Sequence, residues 1–505
     1  MDIYNEIERL ISFGVQKHLI EDSDIIYIRN YLFDLLQVEP KNVSIKINES
    51  LDTATSILDK ISIYAIEKGF IEDSIVEKDL FECKVMGMLM PRPSEVIKKF
   101  NKLYDKEKSH ATDYLYDISK SSNYIMVDRV EKNIEWDYKS DYGTYKITIN
   151  VSKPEKDPKD IAKAKNMKNS DYPTCVLCKE NIGFAGNFNR AARQTIRTVP
   201  LNLDGEIWNL QYSPYVYYNE HCIVFKDEHT PMTGSNKAYT RLFDFLDILP
   251  HYFIGSNAGK PIVGGSILSH DHFQGGNQQL PLVFAKDKIG FKSDKYRDVK
   301  ISILKWQMSV VRLSSKSRES LVAICKDIQR VWEDFNSEIC EIQSHTGDES
   351  HNAITPISRI NNIGDYEIDI VLRNNLTSEK HPMGIFHPHE DVHHIKKENI
   401  GLIEVAGLGV LPKRLVDELE YVKEFLISDN KDIQDAKESI HYNWICDLVE
   451  RFGQNNSFEK ATDIVKNGVG EKFERCLADC GVFKDNETSD NEFKRFLEMV
   501  GIVEK

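Results

Sequence analysis

Ile3, Ile7, Leu10, Ile11, Val15 and Leu19 recur at three- and four-residue steps, which puts apolar side chains on one helix face. That texture continues to about residue 125, so the chain is predicted to open on helices. Met90-Pro91-Arg92-Pro93-Ser94 breaks it, because two prolines cannot sit inside a helix. Ser94 is then the expected N-cap of a helix over Glu95–Leu103. Near Tyr145 the period drops to two. Ile147, Ile149 and Val151 alternate with Lys146, Thr148 and Asn150, predicting a half-buried strand. The charged stretch from Lys153 to Lys168 reads as an exposed loop or short helix. Residues 170–285 combine aromatics, glycines and turn residues with strand-like pieces such as Cys222-Ile223-Val224-Phe225. A helix is predicted over 315–340. Strand character returns over 352–412, where Ile368, Ile370 and Leu372 alternate cleanly, and helix follows from Lys413 to the end.

The pattern divides the 505 residues into a helical front (1–140), two mixed segments (141–300 and 301–412) and a helical tail (413–505), with no fixed short repeat. The fold class predicted is α+β. Hydrophobic residues make up 41% and charged residues 29%, with 26 Gly and 16 Pro, which excludes collagen and a disordered chain. The balance of 65 Lys+Arg against 80 Asp+Glu gives −15, and an acidic surface disfavours nucleic acid. The first residues carry neither a basic stretch nor an apolar core, and no run approaches the ~18 apolar residues of a membrane span. With nine scattered cysteines, a reduced, cytoplasmic protein without disulfides is expected.

Chemistry concentrates in Gly264-Gly265-Ser266-Ile267-Leu268-Ser269-His270-Asp271-His272-Phe273-Gln274-Gly275-Gly276. If 268–274 is extended, His270, His272 and Gln274 share one face, about 6.6 Å apart at each step. Glycines allow the close backbone approach that a phosphate needs. A neutral imidazole can attack phosphorus and hold it covalently, and a glutamine amide can donate to a phosphoryl oxygen as charge shifts. The same residues could instead be a satisfied buried pair or a bare metal site.

Cys175-Val176-Leu177-Cys178 can grip a zinc ion from a tight turn, but a single pair is half a tetrahedral site. His229, His221 and His270 are the candidates to complete it; buried free cysteines or a redox pair are the alternatives. Cys476 and Cys480 lie four apart on a predicted helix and read as core. His381, His387, His389, His393 and His394 form a late cluster that could hold a metal, touch a phosphate or do neither. Arg190, Arg193 and Arg197 form a basic run suited to phosphates or to a solvated helix face.

Ser269-His270-Asp271-His272-Phe273-Gln274 resembles the His-x-His-x-Gln signature of the galactose-1-phosphate uridylyltransferases, members of the histidine-triad superfamily. The likeness extends to Cys175-x-x-Cys178, to Pro214–Phe225, to Tyr252–Asn257 and to His394–Val405, and points to the second, bacterial class. It implies two histidine-triad-like antiparallel sheet halves, 141–300 with the motif and 301–412, plus helical additions at both ends. It implies transfer of UMP from UDP-glucose to galactose 1-phosphate, giving UDP-galactose and glucose 1-phosphate. His272 matches the histidine that carries the uridylyl group, and Gln274 the glutamine that binds the phosphoryl oxygens. Asn257, Gly264, Gly265 and Ser266 fall near the substrate site. Cys175, Cys178, His229 and His270 match the ligands of one structural zinc. No organic cofactor is implied, and a homodimer is the expected assembly. A hydrolase or phosphorylase of the same superfamily is the alternative; a zinc-dependent binding module without catalysis is a third. Asp271 departs from the first class, which has proline between its histidines.

Overall fold

The first predicted helix forms over Ile3–Gln16 and buries Ile3, Ile7, Leu10, Ile11 and Phe13, with the Asp2 carboxylate accepting from the Tyr4 N–H. It stops before Leu19, because His18 takes a left-handed backbone (φ 56°). The computed structural model describes residues 2–43, 45–152, 171–232, 234, 236–265, 267–429 and 431–505, so the predicted loop over 153–168 and Ser266 lie outside the described residues. Two units divide the chain: Met1–Lys132 with Ser152–Thr230, and Asn133–Val151 with Pro231–Lys505.

The first unit is a helical front followed by a small sheet. Helices cover Ile3–Gln16, Ile25–Leu35, Thr55–Glu67, Ile75–Leu89, Pro93–Tyr104 and Lys108–Ser121. The break at Met90–Pro93 is where expected, but Ser94 is not the cap. The helix starts at Pro93, whose fixed φ suits a first turn, and the Glu95 carboxylate accepts from the Arg92 N–H at 2.8 Å. Strands Val199–Leu203, Glu206–Tyr212 and Cys222–Lys226 then form an antiparallel meander.

In the second unit, eight strands run in the order Val503–Glu504, Asp287–Lys292, Lys300–Leu304, Val310–Ser315, Tyr366–Asn374, Asn352–Ile360, Phe253–Gly255 and His272–Gly276. Every neighbouring pair is antiparallel. A second sheet joins Ile134–Ser140 and Gly143–Asn150, antiparallel, to Leu408–Pro412, which pairs in parallel. Helices Lys237–Ile248 and Arg318–Asp334 lie against the large sheet. The predicted strand character over 352–412 is correct only to Asn374 and again at Leu408–Pro412; between them the chain is mostly irregular, broken by short helical turns. The tail is helical as expected, and Cys476 and Cys480 are buried on Phe458–Cys480. The fold is thus α+β, antiparallel throughout the large sheet, with helices at both ends. Among the described residues, no helix is long and apolar enough to cross a membrane.

Buried charge gathers around Asp369 in the second unit's sheet. Asp369 is fully buried and accepts from Arg312 at 2.7 and 3.0 Å and from Arg359 at 2.8 Å. Arg312 also donates to the Leu282 carbonyl at 2.8 Å. Charge taken out of water is tolerable only when its hydrogen bonds are met in this way.

Candidate functional site

The motif residues reach their positions through short strands and tight glycine packing in the second unit. His272–Gly276 pairs with Phe253–Gly255, setting Gln274 opposite Gly255 and Gly276 opposite Phe253. A side chain at Gly255 would come within 2.5 Å of Leu402 Cδ1 and 2.7 Å of the Pro356 carbonyl. At Gly264 a Cβ would lie 2.2 Å from the Ala258 carbonyl oxygen, so that turn accepts only glycine. Gly265 presses on Asn257, whose Nδ2 would be 2.9 Å from an added Cβ. The Asn257 Oδ1 accepts from the Leu402 N–H at 2.9 Å, so the asparagine ties the glycine turn to the 401–402 segment.

The expected row of His270, His272 and Gln274 on one strand face needs correction. The strand begins at His272, and His270 precedes it. The two histidines are linked through the backbone: His272 Nδ1 lies 2.8 Å from the His270 carbonyl oxygen. A carbonyl only accepts, so the ring proton is on Nδ1 and the lone pair is on Nε2. His272 is 4% exposed, and burial is the main reason its pKa falls below the ordinary imidazole value. The ring is therefore neutral at physiological pH, as a nitrogen nucleophile must be.

In the first unit, Cys175, Cys178 and His229 converge, with ligand atoms within 4.8 Å of one another. The two sulfurs are 3.5 Å apart and Cys178 Sγ is 3.2 Å from His229 Nδ1. Tetrahedral zinc with ~2.3 Å bonds to sulfur would set two thiolates about 3.8 Å apart, so the spacing fits. The Asn181 amide donates to the Cys175 and Cys178 carbonyls, both at 2.8 Å, and so closes the turn. Burial pushes the Cys178 thiol up to about 11; only a bound cation would favour its thiolate at neutral pH. His221, the other candidate, instead has its Nδ1 2.9 Å from the Tyr215 carbonyl oxygen.

The late histidines do not gather on one point. His393 Nε2 meets the Pro388 carbonyl at 2.7 Å, His389 Nε2 the Ile385 carbonyl at 3.1 Å, and His387 Nδ1 the Pro388 carbonyl at 3.0 Å. His394 Nδ1 lies 2.8 Å from His441 Nδ1, and His441 Nε2 2.9 Å from Glu418. Neither His441 nor Glu418 carried a signal in the sequence, since both lie far from the cluster along the chain. The basic run also separates. Arg197 is buried and spends its guanidinium on the Pro91, Gln194 and Ile196 carbonyls, whereas Arg190 and Arg193 line a cavity of about 230 Å³ with Tyr124 and Tyr215.

Comparison with known proteins shows the family. Residues 19–231 match the family described as "Galactose-1-phosphate uridyl transferase, N-terminal domain", and residues 245–445 its C-terminal domain. The galactose-1-phosphate uridylyltransferase of Caldanaerobacter subterraneus subsp. tengcongensis is 50% identical over 98% of this chain and 97% of its own. That of Clostridium acetobutylicum is 48% identical (99% and 100%), and that of Bacillus subtilis 44% (99% and 98%). Among solved structures, yeast Ap4A phosphorylase Apa2 matches with a TM-score of 0.33 and 15% identity over 72% of this chain and 94% of that one.

Proposed function

The chain belongs to the galactose-1-phosphate uridylyltransferase family and is a nucleotidyltransferase, and from that premise we propose how its residues divide the reaction. His272 Nε2 attacks the α-phosphorus of UDP-glucose. The bond to the β-phosphate oxygen breaks, glucose 1-phosphate leaves, and UMP stays on the imidazole as a phosphoramidate. Galactose 1-phosphate then attacks the same phosphorus, releasing His272 and giving UDP-galactose. Both displacements exchange one sugar phosphate for another, so the chemistry is close to balanced. The observation that carries this reading is the 2.8 Å contact from His272 Nδ1 to the His270 carbonyl, which leaves the lone pair on Nε2. Gln274 donates to the phosphoryl oxygens as charge develops. Asn257, Gly264, Gly265 and Ser266 line the substrate.

Zinc at Cys175, Cys178 and His229, with His270 as fourth ligand, is part of the same proposal. Such a closed site leaves no position for substrate, so the ion's contribution is to hold its ligand segments in place. Cys175→Ser is expected to weaken zinc retention by at least about tenfold and to lower the melting temperature. Metal analysis of the purified variant checks this; full zinc content with unchanged melting removes the metal proposal.

Acceptor specificity tests the reaction class. With UDP-glucose and galactose 1-phosphate the enzyme should form UDP-galactose with the parallel-line kinetics of a two-step exchange. Rapid release of UMP to water, or its transfer to inorganic phosphate as UDP, would favour a hydrolase or phosphorylase. The burst of uridylylation should also stay above half of its pH 8 plateau at pH 6.5, the ordinary imidazole value, because burial holds the His272 pKa lower. Half-loss of the burst above pH 6.5 would contradict a desolvated nucleophile.

A further inference from the structure

Asp271 separates the two motif histidines, and the structure gives its side chain a partner. Its Oδ2 accepts from Arg241 Nη1 at 3.5 Å, and the two side chains are only 14% and 5% exposed. Arg241 projects from the helix Lys237–Ile248, which packs on the strands Phe253–Gly255 and Asn352–Ile360. The clasp therefore ties the motif to a rigid element. On the other side of the segment, the Met232 N–H donates to the Leu268 carbonyl at 2.9 Å.

The peptide plane decides what this clasp does. The carbonyl that accepts the hydrogen bond from His272 Nδ1–H belongs to the peptide joining His270 to Asp271. That bond is planar, so holding the Asp271 end fixes where the carbonyl points. The carbonyl in turn decides which ring nitrogen keeps the proton and where Nε2 aims. The guanidinium is always charged, and with so little exposure the pair is only weakly screened by solvent. We propose that Arg241 and Asp271 are positioning residues for His272: their ion pair holds the His270–Asp271 peptide so that Nε2 stays aligned on the phosphorus. This rests on the reading of His272 as the uridylyl carrier.

The test uses the full chain and UDP-glucose labelled in the uridine, without acceptor, read as the rate and extent of protein labelling, beside steady-state kinetics and melting curves. Asp271→Asn is expected to slow labelling and kcat about 100-fold, the loss that follows from a small misplacement of a reacting atom. KM for both substrates should move by no more than about twofold. Arg241→Gln should behave alike, and the double variant should be no worse than the worse single one, because both remove the same contact. Arg241→Lys should recover at least about tenfold over Arg241→Gln. Should Asp271→Asn melt early, the Arg241→Lys and Arg241→Gln comparison, run where both are folded, decides the matter. Wild-type labelling rates in folded variants, losses confined to KM, or losses that multiply in the double variant would each overturn the positioning role while leaving the carrier intact. An unlabelled wild-type enzyme that still makes product would instead sink the carrier reading and this proposal with it.

Discussion

Replacing His272 with asparagine is expected to lower kcat by about four to six orders of magnitude, while KM for UDP-glucose changes by less than about tenfold. Asparagine keeps a polar group of similar reach, and its amide nitrogen cannot attack phosphorus. Binding determinants elsewhere are untouched, so the loss should fall on the chemical step. The size of the effect follows from the two-step route: without a carrier, UMP must pass directly between two sugar phosphates that compete for one site. Steady-state kinetics with galactose 1-phosphate as acceptor measure it. A loss under about tenfold would remove His272 from the reaction.

Asp369→Ala is expected to be the largest single loss of stability in the second unit's sheet, about 3–5 kcal/mol. The carboxylate is fully buried, and its removal leaves only Glu367 to offset the two buried charges of Arg312 and Arg359. Burial alone would raise the Asp369 pKa, but the two arginines hold it below the usual carboxylate range. A depressed carboxylate stabilises the fold above its unfolded pKa and loses that contribution as pH falls through the folded value. The wild-type protein should therefore lose stability in acid more steeply than Asp369→Asn, which has no charge to neutralise. Urea unfolding at neutral and acid pH checks both; an unchanged midpoint for Asp369→Ala would show that the network adds nothing.

What could be read from the sequence was what lies close along it. Cys175 and Cys178 share one turn, and His270, Asp271, His272 and Gln274 share one segment, so their spacing alone pointed to chemistry. The helical front and tail were legible because apolar residues repeat at the helix period. The finer geometry was not. The row of His270, His272 and Gln274 assumed a strand that begins only at His272. Ser94 looked like a cap because it is the favoured residue type, yet Pro93 already starts the helix. Arg312 and Asp369 meet because they are register partners on neighbouring strands, 57 residues apart, which no local pattern encodes. Arg241 finds Asp271 across 30 residues, and His441 finds His394 across 47. Asp271 reads in the sequence only as a departure from the first class's proline; its contact with Arg241 is visible only in the fold.

The most direct measurement is to incubate the enzyme with uridine-labelled UDP-glucose alone, quench in base and map the modified peptide by mass spectrometry. One UMP per chain on His272, formed as one glucose 1-phosphate is released and discharged by added galactose 1-phosphate, is the predicted result. UMP on another residue, or turnover with no label on the protein at all, would contradict it.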